Sequence, residues 1–319
     1  MLCFVLDFER PIVELEKKID ELRMLADVEH FEVKDEIKRL SRKADHLRKN
    51  IYSRLTRWQR VQLARHPDRP HTLDFIKYLF TDFVELHGDR LFRDDPSIIA
   101  GIGKFRNRSV IVVGQEKGRT TKEKIKRNFG CPHPEGYRKA LRIMKMGARF
   151  GIPIITLVDT QGAYPGIGAE ERGQAEAIAR NIKEIALLPV PILTIIIGEG
   201  GSGGALAIAI ADRILIMENA FYSVISPEGC ASILWRDATK SPQAAEALKL
   251  TAKDLYEFKV IDAIIPEPPG GAHRDPEGAA ALVADAIDTF LRETEQIEAK
   301  MLIRKRHEKF FTMGMLNEN

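Results

Sequence analysis

Cysteine is scarce in this sequence: Cys3, Cys131 and Cys230 are the three in 319 residues, and no two form a C-x-x-C pair. A structural zinc site takes about four closely spaced Cys or His ligands, so the pattern argues against one in this chain. An odd, sparse count suits a reducing cytosol better than a disulfide scaffold. Long apolar runs are also missing. None approaches the roughly 20 residues that span a bilayer. Asp7 and Glu9 follow the short apolar start closely, which does not read as a signal peptide. Nor is there an excess of one charge, since 49 Lys and Arg against 46 Asp and Glu leave a net charge of +3. A dedicated nucleic-acid binder carries a strongly basic domain. The expectation is a cytoplasmic protein that engages neither membrane nor nucleic acid. The composition, 44% hydrophobic and 30% charged, is globular, and the length allows one large domain with an appendage or two ordinary ones.

The first seventy residues read as helical and polar. Ile12, Leu15, Ile19 and Leu22 recur at 3-4-3 spacing, and Val33, Ile37, Leu40, Ala44, Leu47 and Ile51 repeat the rhythm. Two such helices separated by about ten residues predict a hairpin with a narrow apolar seam. It either packs on its own domain or docks another subunit. The run His66-Pro67-Asp68-Arg69-Pro70 ends this region, placing a boundary between residues 1–70 and 71–319.

Beyond it the pattern becomes α/β. Ile98 to Phe105 and Ser109 to Gly114 read as strands joined by a tight turn, and Glu135 to Phe150 reads as a helix stopped by Gly151. Then a motif appears twice. Ile154 to Val158 is an apolar strand leading into a loop with Gly162, Gly166 and Gly168 and a helix from Ala169. Ile192 to Ile197 is another, leading into Gly198-Glu199-Gly200-Gly201-Ser202-Gly203-Gly204 and an Ala-rich helix. Strands apolar on both faces, each feeding a helix, indicate a covered and largely parallel sheet. Further strands are expected at Arg213–Met217 and Phe221–Ile225, and a final helix from about Glu277.

Strand, glycines and helix together leave uncovered N–H groups at a helix N-terminus, where the dipole favours negative charge. Such donors are worth about 3–4 kcal/mol each in an oxyanion hole. Five glycines in seven residues make the second loop the leading place for chemistry, unless they only permit close packing. Two short patterns also fit it. Gly198 to Gly203 matches the dinucleotide fingerprint G-x-G-x-x-G, with Glu218 as the later acid. Gly200-Gly201-Ser202-Gly203-Gly204 matches the G-x-S-x-G elbow of serine hydrolases, and Asp262 and His273 follow in the required order. In the first loop, Tyr164 either lines a ligand pocket or is simply packed. Lys117, Arg119, Lys122, Lys124, Lys126 and Arg127 form the strongest basic cluster. It suits coenzyme phosphates or a carboxylated ligand, or is a solvated loop.

Several long segments, in order, resemble the α subunit of bacterial acetyl-CoA carboxylase carboxyltransferase. They are Leu6-Asp7-Phe8-Glu9, Gly118-Arg119-Thr120-Thr121-Lys122-Glu123-Lys124, Gly162-Ala163-Tyr164-Pro165-Gly166, Gly168 to Gln174, Gly198 to Leu206, Tyr222 to Ala231, and Ile265-Pro266-Glu267-Pro268 with Gly270 to Arg274. Gln161 departs from the pattern, standing where the family usually has Pro. The resemblance implies a crotonase-like fold of repeated β-β-α units with the helical hairpin in front. It implies a heteromeric enzyme with a core that the family suggests is two α and two β chains.

The partners it implies are a β subunit bearing the zinc ribbon, a biotin carboxyl carrier protein and biotin carboxylase. Carboxybiotin on the carrier gives up its carboxyl group, its ureido oxygen takes a proton from the acetyl-CoA methyl, and the enolate attacks the released CO2 to give malonyl-CoA. The positions matching the family's oxyanion donors are Gly203 and Gly204. Gly162, Tyr164, Gly166, Gly201 and Ser202 fall around the expected carboxybiotin pocket, and Lys122 and Lys124 are placed to attract the CoA phosphates. No metal is expected in this chain. A scaffold subunit whose loops only pack is the non-catalytic alternative. Gly204→Val is expected to cut turnover while leaving assembly intact.

Overall fold

The computed structural model describes residues 4–29 and 34–314; Cys3 and Val33, used above, lie outside them. Eight strands form one sheet: β1 (Thr81–Glu85), β2 (Ile98–Phe105), β3 (Arg108–Gln115), β4 (Ile154–Thr160), β5 (Ile192–Gly201), β6 (Arg213–Met217), β7 (Phe221–Ser223) and β8 (Ala263–Ile265). Their order is β1-β2-β3-β4-β5-β6-β8, with β7 paired to β5 off this path. β1 to β3 are antiparallel, and β3-β4-β5-β6-β8 run parallel.

Every residue of β4 and of β5 is buried, as expected for parallel strands covered on both faces. A polar pair in the middle of these strands satisfies itself: Thr156 and Thr194, directly opposite in the register, share a hydroxyl hydrogen bond of 2.7 Å. β5 is the longest strand and has two partners on one side. Leu193 to Ile196 pair with β6, and Glu199 to Gly201 with β7. The C-terminal ends of β4 and β5 therefore lie side by side, which is where ligands bind in parallel α/β sheets.

Fourteen helices surround the sheet: α1 (Arg10–Glu29), α2 (Lys34–Ser53), α3 (Arg57–Ala64), α4 (Thr72–Leu79), α5 (Thr121–Lys126), α6 (Pro134–Arg149), α7 (Ile167–Glu171), α8 (Gln174–Ile185), α9 (Ser202–Leu206), α10 (Pro227–Trp235), α11 (Ser241–Leu248), α12 (Ala252–Glu257), α13 (Pro276–Thr294) and α14 (Ala299–Thr312) among the described residues. α1 and α2 form the expected pair, closer in sequence than ten residues. Ile12, Ile19 and Ala44 are the buried members of its seam. Where a single helix was expected from Ala169, Gly173 with φ 82° divides α7, which already begins at Ile167, from α8. The final helix is likewise two, α13 and α14. The basic stretch is not a loop throughout, because Thr120 caps α5 by accepting from the Glu123 N–H at 3.2 Å.

Polar contacts tie the helical pair to the body. Glu16 accepts from Arg48 at 2.6 Å and Arg274 at 2.7 Å. Glu9 accepts from Tyr52 at 2.6 Å and His273 at 3.1 Å. Burial pushes the Glu9 carboxyl up, but the hydrogen bonds from His273 and Tyr52 outweigh it and hold it at about 2. At the other end, α14 is stapled by Arg306, which is fully buried. It donates to Asp212 at 2.8 and 2.9 Å and to the carbonyls of Ile185, Leu188 and Val190 at 3.1, 2.9 and 2.9 Å.

Candidate active site

The glycines after β5 are not a floppy loop. Gly198, Gly200 and Gly201 are still strand residues, and α9 starts immediately at Ser202. A Cβ at Gly198 would sit 2.4 Å from Asp159, at Gly200 2.8 Å from the Tyr222 ring, and at Gly201 2.1 Å from the Gln161 carbonyl oxygen. At Gly204 it would meet the backbone of Gly162 at 2.4 Å and of Ala163 at 2.5 Å. These four glycines let neighbouring segments touch backbone to backbone. Gly203 differs, since its Cβ would find only Ile178 methyl groups at 3.7 Å. Packing therefore explains most of the glycines, and the space left open at Gly203 is the exception.

Ser202 makes the corner between strand and helix with φ 51°, a left-handed conformation that costs a non-glycine residue roughly 1–3 kcal/mol. Neither the Gly203 nor the Gly204 N–H has a partner among the described residues, as the opening turn of a helix allows. Gly203 and Ser202 line an apolar cavity of about 480 Å³ whose walls include Leu206, Tyr222, Leu248, Leu255, Phe258, Phe310 and Met313. Gly204 is buried behind them. An apolar cavity with free N–H groups at one wall can hold a flat apolar ligand and a negatively charged oxygen.

A charge network fixes the strand ends below. Glu199 is buried, accepting from Lys117 at 2.6 Å and from Arg65 at 2.7 Å. Arg65 also reaches Glu228 at 2.6 Å, and Lys117 reaches Asp159 at 2.7 Å. Burial raises the Glu199 carboxyl, but Lys117 and Arg65 outweigh it and hold it below its ordinary range. Burial likewise opposes the Lys117 charge, and Asp159 and Glu199 outweigh that, holding the ammonium above its ordinary value. Asp159 in turn accepts from the Glu199 N–H at 2.9 Å, locking β4 to β5 just before the glycines. No local pattern signals Arg65, Glu199 or Glu228, because the partners lie 82 to 163 positions apart.

Gly162, Gly201, Ser202, Gly203 and Gly204 are thus brought together. Of the expected pocket residues only Ser202 and Gly203 line the cavity; Gly162, Gly201, Gly204, Tyr164 and Gly166 do not, and the Tyr164 ring lies over Gly166 and packs against His133 at 4.1 Å between centroids. Lys122 and Lys124 lie on α5; Lys122 is exposed, and Lys124 lines a separate polar cavity of about 220 Å³ with Arg65, Lys117 and Gln161. Arg119 is engaged, donating to the Pro67 carbonyl at 2.9 Å and pairing with Asp74.

The hydrolase constellation is not assembled. Asp262 accepts from the Ile214 N–H at 2.6 Å and from Lys309 at 3.0 Å, while His273 is committed to Glu9. The dinucleotide pattern fails too, since its first two glycines, Gly198 and Gly200, are strand residues rather than a turn. One group, Glu9, His66 and His273, has ligand atoms within 4.8 Å of one another. His66 is engaged at both ring nitrogens, Nδ1 accepting from the Asp68 N–H at 3.1 Å and Nε2 lying 3.3 Å from the Phe4 carbonyl oxygen, whereas His273 meets Glu9 through Nε2 at 3.1 Å and its buried Nδ1 has no partner among the described residues.

The fold is that of the crotonase-like carboxyltransferases. Transcarboxylase 12S, with hydrolysed methylmalonyl-coenzyme A bound, superposes with a TM-score of 0.57 at 18% identity over 71% of this chain and 42% of its own. The β subunit of P. aeruginosa geranyl-CoA carboxylase superposes with a TM-score of 0.54 at 16% identity over 77% of this chain and 46% of its own. The chain spans less than half of either neighbour.

Residues 5–314 match the family described as acetyl co-enzyme A carboxylase carboxyltransferase-like, and the chain belongs to it. Proteins named acetyl-coenzyme A carboxylase carboxyl transferase subunit alpha are similar throughout. That of Geobacter metallireducens is 58% identical over 315 residues, 99% of each chain. That of Thermus thermophilus is 55% identical over 313 residues, 98% of this chain and 99% of its own.

Proposed function

We infer that this chain is the α-type half of a heteromeric, biotin-dependent carboxyltransferase that makes malonyl-CoA from acetyl-CoA, the committed step into fatty acid biosynthesis. Family membership along nearly the whole chain supports the reaction. The observation that carries the site is the pair of unpartnered N–H groups on Gly203, which lines the apolar cavity, and on Gly204, buried next to it in the chain. The cavity fits the apolar body of biotin. Carboxybiotin, when bound, supplies the carboxyl group and leaves negative charge on its ureido oxygen.

The residues of this chain then have distinct tasks. Gly203 and Gly204 donate to that oxygen and stabilise its charge. Gly201 and Ser202 shape the wall, and Gly162, Tyr164 and Gly166 hold the neighbouring loop in place. The Lys117–Glu199–Arg65 network keeps the strand ends still while charge develops. Lys122 and Lys124 present positive charge to the CoA phosphates. A site of backbone donors uses no nucleophilic side chain, consistent with Ser202, Asp262 and His273 lying apart.

The thioester half of the chemistry falls to a β subunit with a zinc ribbon. A biotin carboxyl carrier protein delivers the biotin that biotin carboxylase has charged, around a core of two α and two β chains in the cytoplasm. Residues 1–70 serve as the docking region and 71–319 as the carboxyltransferase domain. The test is malonyl-CoA formation from acetyl-CoA and charged carrier, with this chain alone, the β-type subunit alone, and both. Activity only in the mixture is expected. A folded, associated mixture that makes no malonyl-CoA overturns the assignment.

A further inference from the structure

We propose that Gln115 is a positioning residue for this site, setting the geometry of Gly204 through a bridge between the two glycine segments. Gln115 closes β3 and is fully buried. Its Nε2 donates to the Gly204 carbonyl at 2.8 Å. Its Oε1 accepts from the Asp159 N–H at 3.0 Å. Its own carbonyl accepts from the Thr72 hydroxyl at 2.6 Å, so the backbone carrying the side chain is anchored as well.

Both ends of one amide are used, one on α9 and one on β4. The Gly204 carbonyl has reason to need this partner. The Ile208 N–H bonds to Ala205 at 3.2 Å, and the short helix leaves the Gly204 oxygen without a helical donor. Buried carbonyls without partners are rare and costly. Gly204 is therefore gripped from two directions, by the Gly162–Ala163 backbone on one side and by the Gln115 amide on the other. Fixing its carbonyl fixes its dihedral angles, and so helps to fix the direction of the neighbouring N–H groups. Asp159, held by Gln115 on its N–H, is the residue whose carboxylate receives Lys117 and the Glu199 N–H. One side chain thus links the donor turn to the charge network. Gln115 does not line the cavity, so its effect passes through Gly204.

This inference rests on the malonyl-CoA reading, and the experiment separates the two. The assembled carboxyltransferase carrying the wild-type chain, Gln115→Met or Gln115→Glu is assayed for malonyl-CoA formation at varied acetyl-CoA and carrier. Methionine fills similar volume with no hydrogen bond at either end. Its expected result is a kcat lowered roughly 30- to 100-fold with both KM values changed by less than about twofold, the signature of a misplaced catalytic group. Glutamate keeps the size, but as a carboxylate it can only accept, and it faces the Gly204 oxygen. Around it stand Asp159 on β4, Glu199 on β5 and Lys117 after β3. Its kcat is expected to fall as pH rises through the titration of the new carboxyl, a limb absent from wild type. The glutamate variant decides the matter if the methionine variant does not fold. Wild-type activity together with a Met variant at full kcat, or a Glu variant whose pH profile parallels wild type, overturns the positioning role. An inactive wild-type complex overturns the malonyl-CoA reading, and this inference with it.

Discussion

Adding one methyl group to each of two adjacent glycines separates donor chemistry from packing. At Gly203 a Cβ would meet only Ile178 methyls at 3.7 Å, an ordinary contact. At Gly204 it would stand 2.4 Å from the Gly162 carbonyl carbon and 2.5 Å from the Ala163 nitrogen, both backbone atoms. Relieving that overlap takes a shift of about 1 Å, and a displacement of that size at a catalytic group costs roughly 100-fold. Overpacking adds about 1–3 kcal/mol of destabilisation. Gly203→Ala keeps the N–H, and replacing Gly by Ala inside a helix stabilises it by up to about 1 kcal/mol. Malonyl-CoA formation by the assembled enzyme, with thermal melting of each variant, reads both effects. The expected result is Gly203→Ala within about threefold of wild type and Gly204→Ala lowered about 100-fold. Equal losses in the two variants, or a Gly204→Ala variant with full activity, would refute the geometry. For the same reason Gly204→Val disturbs the loop contact as well as the donor, and is a poorer probe than the sequence suggested.

Other perturbations have equally definite outcomes. Arg306→Met leaves Asp212 and buried carbonyls without their partner, and a loss of about 3–5 kcal/mol is expected in denaturant titration; a change below about 1 kcal/mol contradicts the staple. Acid should loosen the junction of the helical pair with the body. Glu9 is held at about 2 against 4.5, so its contribution is complete above pH 4.5 and is lost as pH falls toward 2. Burial holds His66 at about 4 against 6.5, helped by the neighbouring His273, so its contribution is present above pH 6.5 and lost on the way down to 4. Limited proteolysis of the hairpin should rise across that window, with the lower part removed in Glu9→Gln, and cleavage independent of pH would contradict this. Ser202→Ala should keep turnover within about threefold and should not alter labelling by a fluorophosphonate; loss of both would reinstate a serine nucleophile.

Much of the fold was legible because its signals are local. The apolar runs at Ile154 and Ile192 announce strands covered on both faces, and Thr251 with Asp254 announces the cap of α12, where Asp254 accepts the Thr251 N–H at 3.2 Å. The glycine segment at the end of β5 was read as the leading place for chemistry, but the individual surroundings of its glycines were not legible, since they depend on what lies opposite. Nothing in the spacing says that Gly201 faces Gln161 or that Gly204 faces Gly162. Gln115 was invisible for the same reason. A polar residue at a strand end reads as the start of a turn, and only the fold shows it buried between β4 and α9. The basic cluster was similarly ambiguous. Its members divide between Lys117 in the buried network, Arg119 holding the Pro67 carbonyl, the lysines of α5, and Arg127, which donates to the Pro96 carbonyl at 2.7 Å.

Exchanging the Ser202–Gly203 amide for an ester deletes the Gly203 N–H and adds no side chain to a turn whose cavity face is open. In the assembled enzyme the account predicts a kcat for malonyl-CoA formation lowered roughly 100- to 1,000-fold with KM values little changed, the loss typical of one oxyanion donor. A kcat within a few-fold of the all-amide enzyme would contradict the claim that this N–H stabilises the developing charge.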